Sequence, residues 1–340
     1  MRPSSREQQA DEHHWTKYFS QELYLETSSP DEKARYHVYL TPPSDPSKSP
    51  LFVCHHGAGA CGLSFAIFAR EIRQKFPEAG VLSLEARGHG STLTHPTTNE
   101  ELTDYSLPAL TSDALKMITL TTQTLSWPHL PPTILIGHSL GGAIVTNLAM
   151  HHQQTLAPNF IGYAVLDVVE GSALEALTHM ENYLASRPSI FASQQAAITW
   201  QLRSRTLRSP ESAAVSVPPL LTPTPNPETQ KLEYTWKTPL ALTTTHWSSW
   251  FTGMSARFLQ GRGAKLLILA GTDRLDKELM VGQMQGKFQL VVVPEAGHFV
   301  QEDAAAKVAE VVGEFYRRND RGGLVLPMKV DEMIRLGKKV

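Results

Sequence analysis

Residues 133 to 149, TILIGHSLGGAIVTNLA, constrain the fold more than any other stretch of the chain. Thr133, Ile134, Leu135 and Ile136 form a short apolar run rich in β-branched residues, and Ala143, Ile144, Val145, Leu148 and Ala149 follow at helical spacing. Between them lies Gly137-His138-Ser139-Leu140-Gly141, so the pattern predicts a buried strand, a sharp turn and a helix. A serine with glycines at i−2 and i+2 in such a turn suits a strained backbone that lifts its Oγ above the strand ends. The next amide, that of Leu140, would open the helix, where unpaired donors and the dipole favour a developing negative charge. Ser139 is therefore the candidate nucleophile and Leu140 a candidate oxyanion donor. A chance Gly-x-Ser-x-Gly match in a flexible loop would lack the flanking strand and helix.

The 340 residues, 41% hydrophobic and 19% charged, can bury a full core, and one α/β domain carrying a large insertion is the economical arrangement. Lys and Arg number 31 against 33 Asp and Glu, for a net charge of −2, and no run is basic enough to track a phosphate backbone. Nucleic acid is not an expected partner. Cys54 and Cys61 cannot make a disulfide framework, which suits a reducing compartment. The polar start MRPSSREQQADEHHW has no apolar leader character, and no segment reaches bilayer-spanning length. The expectation is a monomer in the cytoplasm or nucleus, with no membrane contact.

Residues 1–14 read as a disordered polar tail, after which Trp15, Tyr18 and Phe19 could anchor the chain to the body. A first part of the core spans 15–171, with strands at Tyr36–Leu40, Pro50–His55, Gly80–Leu84 and Ile161–Leu166 beside the one before Ser139. Helical spacing covers Leu63–Phe76 and part of Tyr105–Leu125. The α/β alternation stops over 172–262, which reads as a cap insertion. It holds helices at Ala173–Leu184 and Ile190–Leu202, a Pro-rich loop from Pro218 to Pro227, and the aromatic residues Tyr234, Trp236, Trp247, Trp250 and Phe251. Alternation returns in 263–320, with strands near Lys265–Ala270 and Phe288–Val293, and 321–340 is an extension.

The strand Pro50–His55 runs into His56-Gly57-Ala58-Gly59-Ala60, whose small residues let a backbone amide approach a ligand; the second oxyanion donor would be Gly57 or Ala58. His89, in the turn Arg87–Ser91, reads as a histidine bonded to nearby backbone. His298 follows the last core strand, so the order serine, acid, histidine matches the α/β-hydrolase fold: a doubly wound, mostly parallel sheet, here with a helical cap. His298 would act as the base. Two positions compete for the acid. Asp273 ends the strand that most often carries it, and spacing favours it; Asp167 ends the strand after the nucleophile helix. No histidine pair has a carboxylate at metal-ligand spacing, so neither metal nor cofactor is expected.

The blocks GHSLGGAIV, LDVVEGSALEAL, LAGTDRLDKELMVGQMQGKFQ and PEAGHFVQED, with WTKYF, YTWKT and HWSSWFTGMS, resemble the protein phosphatase methylesterase family from about residue 15 to 317. The resemblance implies that the Asp of DVVEG, Asp167, is the acid, and that Asp273 braces its loop. It also implies a serine esterase that demethylates the C-terminal leucine of the protein phosphatase 2A catalytic subunit through an acyl-enzyme. On that reading Trp236, Trp247 and Trp250 are candidates for a substrate groove, and binding of the phosphatase could tighten the catalytic contacts. The competing readings are a small-molecule carboxylesterase with the same machinery and a non-catalytic hydrolase fold that binds the phosphatase.

Overall fold

The computed structural model describes residues 14–271 and 275–320. The chain builds strands β1 (Gln21–Ser28), β2 (Lys33–Thr41), β3 (Leu51–His55), β4 (Gly80–Leu84), β5 (Thr92–Thr94), β6 (Thr133–His138) and β7 (Phe160–Leu166). Strands β8 (Ile190–Phe191), β9 (Leu221–Pro225), β10 (Leu232–Trp236), β11 (Ala264–Leu269) and β12 (Gln289–Val292) follow. The main sheet runs β1-β2-β4-β3-β6-β7-β11-β12, with β5 paired to β2. From β4 to β12 every neighbouring pair is parallel, while β1 and β2 are antiparallel additions at one edge.

Alternation along the buried strands divides the core between the two faces. Leu51 and Val53 of β3 and Leu135 of β6 join one apolar cluster, with residues of the helices Leu107–Thr124, Leu140–His151 and Met254–Gln260. Phe52 and Cys54 of β3 and Ile134 and Ile136 of β6 join the other, with residues of Ala66–Lys75 and Ala305–Asn319. Tyr18 and Phe19 bury against that second face, and Trp15 packs near Tyr39. Because β4 and β6 flank β3 on opposite sides, chain direction across the sheet reverses at β3. A crevice opens beyond the carboxyl ends of the strands at such a reversal, and the loops after β3, β6, β7 and β12 all reach that edge.

The segment between β7 and β11 forms the cap, and it is less helical than the sequence suggested. Ile190 and Phe191 are not the start of a helix; they form β8, and the helix begins at Gln194 behind the Ser193 cap. Pro218–Pro227 is not a plain loop either: Pro218–Leu220 makes a helical turn and Leu221–Pro225 forms β9, paired to β10. Prolines are tolerated there because β9 is an edge strand of the three-stranded sheet β8-β10-β9 and needs no outward donors. Phe191, Ile198, Leu207, Val217 and Leu221 give the cap its own small core. The helix Glu170–Ser186 has no buried residue at all. Its apolar side chains are half covered, against the main core.

One polar network joins three elements behind the site. The buried Asp113 carboxylate accepts hydrogen bonds from Arg87 Nε at 2.5 Å, Arg87 Nη2 at 2.8 Å and the Tyr36 hydroxyl at 3.0 Å. It ties the loop after β4 to β2 and to the helix Leu107–Thr124. Asp113→Ala would leave a guanidinium buried without its counter-charge, and should lower unfolding free energy by about 3–5 kcal/mol. Urea denaturation checks this, and an unchanged midpoint would refute it.

Candidate active site

Ser139 sits between β6 and the helix Leu140–His151 with φ 52° and ψ −119°, a conformation that L residues rarely occupy. The turn is pinned by the Ser139 amide, which donates to the Leu166 carbonyl at 3.1 Å, and by the Gly142 amide, which donates to the Ser139 carbonyl at 2.8 Å. Gly137 is required by the close approach of the returning helix: a Cβ there would lie 2.1 Å from the Gly141 carbonyl oxygen. Strand, strained serine and helix thus form one rigid corner, and the partly buried Ser139 lines the cleft above it.

Asp167 follows β7, and its φ of 49° turns its side chain toward the same edge. Its Oδ2 accepts from His298 Nδ1 at 2.9 Å, and its Oδ1 accepts from the Ala270 amide at 2.8 Å. The carboxylate is fully buried, whereas the His298 side chain is 44% exposed. With Nδ1–H given to Asp167, His298 Nε2 is the nitrogen left for the cleft. The His298 carbonyl accepts from His138 Nε2 at 2.8 Å, which fixes the histidine loop over the elbow. Ser139, Asp167 and His298 line one cleft; among the described residues no hydrogen bond joins the Ser139 hydroxyl to His298. Asp273 lies outside the described residues. Asp276, beyond it, caps the helix Lys277–Met284 and accepts from the Ser255 hydroxyl.

The loop after β3 is shaped by two histidines beneath it. His56 Nδ1 donates to the Gly57 carbonyl at 2.8 Å, and His89 Nε2 accepts from the Gly59 amide at 2.9 Å while its Nδ1 donates to the Arg87 carbonyl at 3.0 Å. The Gly59 amide is therefore occupied. The amides of Gly57, Ala58 and Leu140 have no acceptor among the described residues, and all three residues line the cleft. Gly57 packs so closely that a Cβ on it would lie 2.9 Å from the Ser139 Cβ.

The tryptophans separate. Trp247 and Trp250 are buried and line the cleft, their indole N–H groups donating to Thr243 Oγ1 at 2.7 Å and to the Tyr105 carbonyl at 2.8 Å. Trp236 does not reach the cleft. It packs at 5.2 Å from Phe191 in the cap core, under the Arg187 guanidinium, and donates to the Pro188 carbonyl. Aromatic clustering along the chain could not separate the two environments. The cleft measures about 710 Å³ and also takes in Ser64, Gln201, Ser216 and Glu302, for which the sequence carried no signal beyond the QED that follows His298-Phe299-Val300.

A family model described as alpha/beta hydrolase family matches residues 52–311, and the chain belongs to that class of hydrolases. Protein phosphatase methylesterase 1 of Aspergillus oryzae is 52% identical over 94% of this chain and 74% of the relative. Its Neurospora crassa counterpart is 50% identical over 96% of this chain and 80% of the relative. The chain is a member of the protein phosphatase methylesterase family. Among solved structures, E-2-(acetamidomethylene)succinate hydrolase superposes with a TM-score of 0.63 at 16% identity, covering 84% of this chain and 96% of that one, a likeness of fold alone.

Burial sets the protonation around the site. Burial, then the neighbouring histidines, hold His55 and His138 down at about 3 and His89 at about 4. Burial pushes the Glu302 carboxyl up to about 8, against the pull of the Ser216 hydroxyl. A base whose folded pKa is depressed contributes stability that is present above its unfolded value near 6.5 and lost as pH falls toward the folded one. A carboxyl whose folded pKa is raised contributes stability that is present below its unfolded value and lost as pH rises through the folded one. Unfolding free energy should therefore fall steeply from pH 6.5 to 4.5, where three histidines outweigh one acid, and decline gently from 6.5 to 8. His89→Gln should flatten the acid limb by about one proton and Glu302→Gln the alkaline one. Urea midpoints against pH read both slopes; a flat wild-type profile would contradict the assignment.

Proposed function

We propose that the chain is a serine methylesterase that hydrolyses the methyl ester on the C-terminal leucine of the protein phosphatase 2A catalytic subunit. Membership of the methylesterase family supports the substrate, and the buried Asp167 carboxylate bonded to His298 beside the strained Ser139 supports the chemistry. In this reading His298 Nε2 takes the proton from Ser139 Oγ as the oxygen attacks the leucyl carbonyl. The amide of Leu140 and that of Gly57 or Ala58 stabilise the resulting oxyanion. The tetrahedral intermediate collapses, the C–O bond to the methoxy group breaks, and methanol leaves with the proton from His298. Water, deprotonated by His298, then attacks the acyl-enzyme and releases the carboxylate and Ser139. Asp167 holds the Nδ1–H tautomer and stabilises the imidazolium.

The gap between Ser139 and His298 fits a base whose contact tightens as substrate seats, since catalytic hydrogen bonds are often long in free enzymes. A cleft of 710 Å³ accommodates more than a methyl ester, which suits a peptide tail whose last residue is the acyl group.

The test offers purified methyl-esterified phosphatase catalytic subunit beside short acyl esters. Wild type should demethylate the phosphatase, Ser139→Ala should be inactive and refuse a fluorophosphonate probe, and Asp167→Asn should lose roughly 10,000-fold in kcat while melting normally. Rapid turnover of the short esters with the phosphatase untouched would favour a small-molecule carboxylesterase instead. Near-normal turnover by Asp167→Asn would return the acid role to Asp273.

A further inference from the structure

The cleft has two kinds of lining. The helices Glu170–Ser186 and Trp247–Phe251 contribute Ala176, Leu177, Met180 and Trp250, an apolar surface suited to a leucine side chain. Another part is polar, although it is buried. It is made where the turn Gly62–Phe65 and the helices Gln194–Arg203, Pro210–Ser216 and Val300–Asp303 pack together, bringing Ser64, Gln201, Ser216 and Glu302 to the cleft. Ser64 is 2% exposed, Gln201 6% and Glu302 4%. The Ser216 hydroxyl donates to Glu302 Oε2 at 2.5 Å and the Ser212 hydroxyl to the Glu302 carbonyl at 2.8 Å, so this pair is braced. Ser64 Oγ and Gln201 Oε1 are not: among the described residues neither buried atom has a hydrogen-bond partner.

A hydroxyl and an amide oxygen kept dry without partners cost stability, and where such groups border a cleft a bound ligand or an ordered water completes them. The pair offers one donor and one acceptor on two different elements. A peptide unit presents the reverse, one N–H and one C=O pointing in opposite directions across a trans bond. Resting on the methylesterase reading, we propose that Ser64 and Gln201 form a subsite for the last peptide unit of the substrate. Gln201 Oε1 accepts from the N–H of the esterified residue, and the Ser64 hydroxyl donates to the carbonyl of the residue before it. Such a site rejects aliphatic esters of the same shape, because they leave both groups unpaired in a dry wall. The subsite thus supplies a physical basis for preferring a peptidyl ester over a simple carboxylic ester.

Two substrates isolate this contact. N-acetyl-leucine methyl ester carries the peptide unit, while methyl isocaproate has the same branched chain and ester without it. The ratio of kcat/KM for the first over the second should favour the amide in wild type. It should fall by about 5- to 20-fold in Gln201→Leu and in Ser64→Ala, through KM. Gln201→Leu removes an unpaired buried group at similar volume and should melt no lower than wild type; Ser64→Ala is the second arm should it fail to fold. A ratio unchanged in both variants overturns the subsite. So does slowed acyl-enzyme hydrolysis equal for both esters, which would mark the groups as holding the attacking water. Wild type that leaves both methyl esters and the methyl-esterified phosphatase untouched but turns over p-nitrophenyl acetate would sink the methylesterase reading, and the subsite with it; wild type that demethylates the phosphatase while showing no preference for the amide-bearing ester would overturn the subsite alone.

Discussion

The positive φ of Ser139 is the constraint on which the other features of the site depend. It can exist only because β6 and its helix pack through glycines, and it costs on the order of 1–3 kcal/mol, offset by the fully buried strand before it and the largely buried helix after it. Once that corner is set, the Leu140 amide is aimed by the helix start and the serine oxygen by the strand end. Every other participant must then come to it. β3 is hydrogen-bonded beside β6 and delivers Gly57, and β7 on the other side delivers Asp167.

That order of strands bears on the two positions that compete for the acid along the chain, of which Asp167 is bonded to His298. In the sheet, β7 adjoins β6 and β11 is one strand further away, so a carboxylate after β7 starts about 5 Å nearer the serine strand than one after β11. A histidine loop arriving from β12 can meet either. Asp167 reaches His298 because its own backbone turns at φ 49°, and its second oxygen holds the Ala270 amide beyond β11. The carboxylate therefore braces the neighbouring loop as well as the imidazole. Spacing encodes chain order and not which strand end lies closer, whereas the DVVEG block pointed to Asp167, the residue bonded to His298.

Much of the core was legible because buried parallel strands are continuous apolar runs and their helices carry a 3.6-residue period. The elbow, the loop after β3 and the position of His298 followed from those elements. The cap was harder for identifiable reasons. Pro223 and Pro225 sit on an edge strand, where the usual argument against strand does not apply, and β8 is only two residues long. Trp236 and Trp250 are equally aromatic along the chain, yet one closes the cap core and the other walls the cleft. The roles of His56 and His89 as supports for the loop after β3 depend on contacts between that loop and the turn after β4, which no local pattern states.

The helix Glu170–Ser186 brings these threads together. A 17-residue helix with no buried residue is a poor contributor to stability, since most helical stability in proteins comes from packing an apolar face. Part of its apolar face packs on the main core and part lines the cleft, beside the unpaired polar atoms of Ser64 and Gln201. Both are local violations of consistency in a chain whose core obeys it closely, and both line the same volume as Ser139. Such violations mark the part of a fold shaped by what it binds. On the proposed reading, the apolar lining and the unpaired polar lining are complementary halves of one requirement, that the acyl group be a peptidyl residue. Seating it would cover the half-exposed helix face and satisfy the orphaned groups in the same event, so recognition and completion of the fold around Ser139 become one equilibrium.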